Sequence, residues 1–175
     1  DRFVEDLKSA LRIPSVSALP EHKGDVRRCA QHIADHLKAL GMTRSEVVET
    51  AGHPLVYAEW LGAMGRPTAL VYGHYDVQPP DPLDLWKTPP FEPVLRDGNL
   101  YARGAVDDKG QVYMHLKAIE AHMQVHGKLP INLKLVIEGE EEVGSESLEA
   151  FLRARRGELD ADVIVVSDTA MPSPD

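Results

Sequence analysis

The stretch TALVYGHYDV (residues 68–77) indicates the fold class of this chain. Thr68–Tyr72 is almost wholly apolar, which is typical of a β-strand buried on both faces of a parallel sheet. Gly73, His74 and Asp76 follow at once, so polar side chains begin where the predicted strand ends. Open α/β sheets bind their ligands beyond the carboxyl ends of their strands. The stretch therefore predicts a buried strand with a candidate site beside it.

Strands and helices alternate along the rest of the sequence. Apolar spacing predicts helices at 1–12, 25–40, 109–126 and 146–155, with Gly41 and Gly127 ending the second and third. Strands are predicted at 45–50, 55–61, 131–137 and 163–166, the last of them buried, together with a hairpin over 91–102 turning at Asp97-Gly98. The alternation predicts an α/β layer architecture with a largely parallel sheet.

The composition is that of a globular protein with an excess of acid. The 175 residues are 43% hydrophobic, and 28 Asp+Glu against 19 Lys+Arg give a formal charge of −9. This excess argues against nucleic acid and anionic membrane surfaces as partners, because both reward Lys and Arg. The one cysteine, Cys29, excludes a disulfide framework within the chain, and its helical spacing predicts that it packs beside an apolar stripe. The first residues lack the basic start and apolar run of a secretory signal, so a cytoplasmic location is expected.

Four polar clusters lie at predicted strand ends or at a helix start. They are His74 with Asp76, Asp107 with Asp108, the run Glu140-Glu141-Glu142, and Asp168. Each has an ordinary explanation: a surface-loop histidine, a helix N-cap, a solvated charge run and a turn residue. A parallel sheet, however, would bring the strand ends to one edge. Together the clusters predict an oxygen-rich site with one imidazole, suited to two zinc-class divalent ions.

Competing motifs are absent from the sequence. There is no Gly-x-Ser-x-Gly nucleophile elbow, no phosphate-binding Gly-x-x-x-x-Gly-Lys loop and no dinucleotide-binding glycine fingerprint. The pairs His32/His36 and His122/His126 have the i, i+4 spacing of helical zinc proteases, but no Glu follows the first His of either pair. Both pairs lie off the apolar stripes, so we expect them to face solvent.

Taken in order, the motifs resemble a known family. They are GHYDVQP (73–79), Trp86, DGNLYARG (97–104), DDKG (107–110) and EEVGS (141–145). This series is similar to that of the co-catalytic zinc metallopeptidases, which include carnosinases, dipeptidases, aminoacylases, succinyl-diaminopimelate desuccinylase and glutamate carboxypeptidase. The resemblance favours the dipeptidase and carnosinase branch. It implies a three-layer αβα catalytic domain with a mostly parallel or mixed sheet.

The resemblance implies a set of metal ligands. His74 and Asp168 would bind one divalent ion, Asp107 would bridge two ions, and Glu142 would bind the second. The ions implied are zinc first, with manganese or cobalt as alternatives.

The resemblance also implies the residues of the reaction. Asp76 would serve catalysis by orienting His74, and Asp108 would stand beside Asp107 in a cis peptide. Glu141 would be the general base, chosen within the run of three glutamates because it lies three residues before Gly144. The residues that bind substrate are not indicated by the sequence.

The implied activity is hydrolysis of dipeptides or small peptides by a water that bridges two metal ions. Two alternatives stay open: an amidohydrolase that deacylates N-acyl amino acids, and a non-catalytic metal-binding or interaction module. The family takes its last histidine ligand from downstream of an inserted lid domain, through which it usually forms dimers. Residues 1–175 are therefore expected to be the N-terminal segment of a catalytic domain from a longer, homodimeric protein, with impaired activity by themselves.

Overall fold

The computed structural model describes residues 2–170 and shows an α/β architecture. The helices are α1 (Arg2–Leu11), α2 (Lys23–Ala39), α3 (Lys109–His126) and α4 (Leu148–Ala154). The strands are β1 (Arg44–Val48), β2 (Leu55–Trp60), β3 (Thr68–His74), β4 (Val94–Arg96), β5 (Asn99–Tyr101), β6 (Asn132–Glu138) and β7 (Val163–Val166). Short 3₁₀ turns occupy Pro20–His22, Leu83–Leu85 and Glu141–Val143.

Five strands form one mixed sheet in the order β1-β2-β6-β3-β7, and β4 and β5 form a separate hairpin. Strand β3 runs parallel to both β6 and β7, whereas β2 is antiparallel to its neighbours β1 and β6. The α/β class is confirmed. Within residues 2–170 the sheet is mixed, as the resemblance allows, and less parallel than the alternation of elements predicts, because only β6, β3 and β7 pair in parallel. In register, His74 lies opposite Glu138 and Tyr72 opposite Val166, so the carboxyl ends of β6, β3 and β7 lie side by side.

The sheet is covered by helices on both faces, which gives the three predicted layers. On one face α2 packs against β1 and β2, α3 packs against β3, and α1 packs on α2 and α3, around core side chains such as Val56 and Ala58. On the other face Phe151 of α4 packs with Tyr57 and Leu70. Burial of one large apolar side chain contributes about 1.5–3 kcal/mol to folding, so the apolar contacts on the two faces of the sheet supply most of the favourable free energy of folding. Cys29 is buried within the larger layer, as predicted.

Several turns lie where glycine predicts them. Helix α2 is followed by Gly41 at φ +91° and α3 by Gly127 at φ +66°, which are left-handed conformations that favour glycine. The hairpin of β4 and β5 turns through Asp97 and Gly98, both at positive φ, which matches the right-handed twist of its strands. These local predictions are confirmed.

Several expectations about elements differ from the structure, among them the strand predicted at 45–50, which is β1 at Arg44–Val48. Strand β3 continues through His74, because Gly73 and His74 pair with β6, so the histidine ends the strand and does not follow it. Helix α4 begins at Leu148, two residues later than predicted. Strand β7 has the predicted bounds but is not buried: the exposed fractions of Val163, Ile164 and Val166 are 50%, 64% and 56%. It is an edge strand that, within residues 2–170, pairs with β3 alone.

The two helical histidine pairs have different surroundings. His122 and His126 are exposed, as predicted. His32 and His36 are half-buried, and His32 Nε2 lies 2.8 Å from the hydroxyl of Tyr113, so the expectation that this pair faces solvent is wrong. The helices of residues 2–170 include none with the length and apolarity needed to cross a membrane.

Candidate metal centre

His74 is the centre of a polar cluster at the carboxyl edge of the sheet. It ends β3 and is fully buried. Its Nε2 atom lies 3.0 Å from Asp107 Oδ1, on the segment before α3, and 3.7 Å from Asp168 Oδ2, beyond β7. One ligand atom from each of the three residues lies within 4.8 Å of the others. The structure thus brings together three of the four predicted metal ligands.

The chemistry of His74 fits a bound cation. Its Nε2 atom is buried and makes no hydrogen bond to any residue within 2–170. Its other ring nitrogen, Nδ1, lies 3.1 Å from the carbonyl oxygen of Asp76 and 3.3 Å from Asp76 Oδ1. A hydrogen bond from Nδ1–H leaves the lone pair on Nε2, which is the usual arrangement of a metal-binding histidine. One imidazole with two carboxylates is a donor set suited to zinc-class ions.

The pKa values around His74 report a strongly negative environment. Burial by itself lowers the pKa of His74, but the hydrogen bond and charge of Asp76, with the charges of Asp108 and Glu141, raise it to about 10. Burial raises the pKa of Asp108 to about 7, although the His74 amide opposes this shift. Burial, together with neighbouring acids, also raises the pKa of Glu141. Divalent cations would relieve this repulsion.

Asp76 contacts both His74 and the turn that carries Glu141 and Glu142. It is fully buried, and its carboxylate accepts hydrogen bonds from the backbone amides of Glu141 (3.2 Å) and Glu142 (3.1 Å). The same carboxylate lies beside His74 Nδ1. Asp76 therefore fixes both the imidazole and the start of the turn that carries the glutamates.

The three consecutive glutamates have three different environments. Glu140 is buried, and its two carboxylate oxygens accept from the amides of His53 (2.9 Å) and Ser147 (3.0 Å). Glu141 faces the cluster, with Oε2 3.9 Å from His74 Nε2. Glu142 Oε2 instead accepts a hydrogen bond of 2.9 Å from the Gln78 side-chain amide. Glu142 is not part of the group formed by His74, Asp107 and Asp168. Of the three, only Glu141 approaches the histidine in the described structure.

The two aspartates before α3 point to different partners. The Asp107–Asp108 peptide bond is cis. The Asp107 side chain is 60% exposed beside His74 Nε2, whereas Asp108 is buried and its Oδ2 accepts a hydrogen bond of 3.1 Å from the His74 amide. A Cβ atom at Gly73 would lie 2.8 Å from Asp108 Oδ2, so this close approach requires glycine. Asp108 thus supports the backbone of His74.

Comparison with known proteins identifies the family. The family model described as Peptidase family M20/M25/M40 matches residues 70–175. This range includes His74, Asp76, Asp107, Asp168 and the three glutamates. The chain belongs to this peptidase family. Members of the M20/M25/M40 family use divalent metal ions, and the group His74, Asp107 and Asp168 is the part of the described structure that could hold one.

Two curated relatives are similar over nearly the whole chain. The Cys-Gly metallodipeptidase dug1 of Schizosaccharomyces pombe is 36% identical over 97% of this chain and 38% of its own length. The Beta-Ala-His dipeptidase of Homo sapiens is 35% identical over 96% of this chain and 36% of its own length. The chain therefore spans little more than a third of these relatives. The expected resemblance to the dipeptidase and carnosinase branch is confirmed.

A solved M20 structure has the same fold. The metallo-carboxypeptidase Sso-CP2 from Sulfolobus solfataricus superposes with a TM-score of 0.89 and 36% identity, over 98% of this chain and 38% of that one. The expected α/β fold of a zinc-peptidase catalytic domain is thereby confirmed.

Two residues beside the cluster were not anticipated. The Gln111 amide nitrogen donates to the carbonyls of Val106 (3.0 Å) and Thr169 (3.1 Å), and so ties the segment of Asp107 to that of Asp168. Ser17 donates to the Asp76 carboxylate from a segment that precedes the family match. Neither lies at a strand end or in an acidic cluster, so the sequence pattern gave no signal for them.

Proposed function

We propose that the protein carrying this chain is a metal-dependent hydrolase that cleaves dipeptides or small peptides. The observation that carries the proposal is the common approach of three groups to His74 Nε2. Asp107 and Asp168 approach it with ligand oxygens, and the carboxylate of Glu141 lies 3.9 Å from it. The relatives' names, Cys-Gly metallodipeptidase and Beta-Ala-His dipeptidase, support dipeptides as the substrate class.

We assign the residues of this chain to a centre of two divalent ions, zinc in the first place. His74 and Asp168 would hold one ion, Asp107 would contact both, and Glu142 would hold the other. When bound, the ions would supply positive charge that acidifies a water molecule and polarises the scissile carbonyl. Asp76 would keep the imidazole of His74 in the tautomer and orientation that present Nε2.

The proton transfers fall to Glu141. Its carboxylate faces the cluster, is partly exposed and makes no hydrogen bond to other described residues that would occupy it. We propose that a carboxylate oxygen of Glu141 takes the proton of the attacking water and returns it to the nitrogen of the leaving amine.

We further propose that residues 1–175 are the N-terminal segment of the catalytic domain. The coverage of little more than a third of the relatives supports this arrangement. The rest of the protein would supply a further histidine ligand for the ion on Glu142 and a lid domain through which a homodimer forms. A cytoplasmic location is also part of the proposal.

The test uses the full-length protein that contains residues 1–175. We expect elemental analysis to find two divalent ions per chain and assays to find turnover of Cys-Gly or β-Ala-His. Glu141→Gln should keep its metal and lose about 10²–10⁴-fold in kcat, the usual contribution of a general base. The matched control is Glu146→Gln, which changes an exposed glutamate of the same segment and should keep full activity.

Other results would identify the alternatives. Turnover of N-acetyl amino acids without turnover of dipeptides would assign an amidohydrolase. Metal binding with neither reaction would favour a non-catalytic metal-binding or interaction module. Near-normal peptide hydrolysis by Glu141→Gln would refute the role given to that residue.

A further inference from the structure

We propose that Ser17 is a positioning residue of the metal centre and that it acts through Asp76. This inference rests on the proposed function. The Ser17 hydroxyl donates a hydrogen bond of 2.6 Å to Asp76 Oδ2, and both residues are buried, with exposed fractions of 8% and 0%. The two residues are 59 positions apart in the chain.

The Asp76 carboxylate has no freedom to move without disturbing the centre. Oδ2 accepts from Ser17 and from the Glu142 amide, while Oδ1 accepts from the Glu141 amide and lies 3.3 Å from His74 Nδ1. The Ser17 bond is shorter than the two amide bonds. Without the hydroxyl, Oδ2 keeps only the Glu142 amide as a donor, so the carboxylate is free to rotate toward the glutamate turn. The orientation of His74 would then be less well defined.

The backbone around Ser17 is held independently of its hydroxyl. Val77 donates its amide to the carbonyl of Ser15 (3.0 Å), and the Ser15 hydroxyl donates to the carbonyl of Tyr75 (2.7 Å). His53 Nε2 lies 3.0 Å from the carbonyl oxygen of Ser17. The segment therefore stays in place beside residues 75–77 when the Ser17 hydroxyl is removed.

These contacts also provide a matched control. Ser15 and Ser17 are both buried serines of one segment, and each donates a single hydrogen bond to residues 75–76. Ser15 binds a backbone carbonyl, whereas Ser17 binds the carboxylate that faces His74. Ser15→Ala should therefore remove a buried hydroxyl of the same segment without altering the metal centre, because the Val77 amide and His53 still hold the backbone and every donor to Asp76 remains.

The first experiment measures Zn²⁺ affinity of the full-length protein by competition with a chelating dye, together with kcat and KM for a dipeptide. We expect Ser17→Ala to weaken Zn²⁺ binding about tenfold, the lower end of the range for groups that orient metal ligands, and to lower kcat more than KM rises. Ser17→Thr, which keeps a hydroxyl, should retain the affinity. Ser15→Ala should bind Zn²⁺ as the wild type does.

A double-mutant cycle tests whether the effect passes through Asp76. In the Asp76→Ala background, Ser17→Ala should cause no further loss of Zn²⁺ affinity, because the partner of the hydroxyl is already gone. Additive losses, or wild-type affinity in Ser17→Ala, would overturn the inference. Zinc binding by a wild type without turnover would overturn the proposed function only, because the affinity cycle still tests Ser17. A wild type that binds no zinc would overturn both.

Discussion

Replacing Glu140 by glutamine should destabilise the fold without removing the chemistry. The two oxygens of Glu140 accept from the backbone amides of His53 (2.9 Å) and Ser147 (3.0 Å), and the side chain is buried. Glutamine has the same shape, but its NH₂ group would face one of these amides with no acceptor. Loss of one charge-assisted bond with a buried N–H left unpaired predicts a cost of about 2–4 kcal/mol.

The assay is urea unfolding of the full-length protein in EDTA, so that bound metal does not add to the measured stability. Glu140→Gln should lower the urea midpoint with an unchanged slope, and the folded variant should keep its metal and turnover. Glu141→Gln is the matched control, because it makes the same change one residue away. It removes a negative charge from among other acids and should not lower the midpoint. A wild-type midpoint for Glu140→Gln, or an equal loss for both variants, would refute the reasoning.

Two further predictions concern the helical layer. The ammonium of buried Lys109 donates to the carbonyls of Ala10 (3.2 Å) and Ile13 (2.7 Å), which lie at and just beyond the end of α1. Because Lys109→Met leaves both carbonyls without this donor, it should lower the free energy of unfolding by about 1–3 kcal/mol. Thermal unfolding measures the loss, and an unchanged melting temperature would contradict the prediction. Burial and the charge of Lys109 lower the pKa of His32 in the folded protein. The His32 imidazole therefore binds a proton more readily in the unfolded chain than in the folded one. The free energy of unfolding should fall as the pH drops below about 6.5. His32→Gln should flatten that part of the pH profile in urea titrations, and an unchanged slope would show that another group is responsible.

Local patterns predicted the elements well because their causes are local. Gly41 and Gly127 end helices since their backbones take left-handed conformations, and Asp97-Gly98 forms a hairpin turn for the same reason. The apolar run of β7 predicted a strand with the correct bounds. It did not predict the strand's exposure, because an apolar run shows that a strand can be buried but not which element covers it.

The candidate site could be predicted only in part. Acids at neighbouring strand ends indicated a metal centre, since parallel strands bring those ends together. The sequence could not separate the functions of three adjacent glutamates, because the side chains of Glu140, before the 3₁₀ turn, and of Glu141 and Glu142, within it, each point in a different direction. The structure directs Glu140 to backbone amides and Glu141 toward His74.

The sequence by itself determined the helices and strands, the α/β class and the edge of the sheet where charge gathers, because these depend on spacing and on rules of chain connection. Only the tertiary structure decided which atoms meet. Ser17 reaches Asp76 across 59 residues and Gln111 reaches Thr169 across 58. Such hydrogen bonds depend on positions within a few tenths of an ångström, and those positions are set by the packing of the helices against the whole sheet.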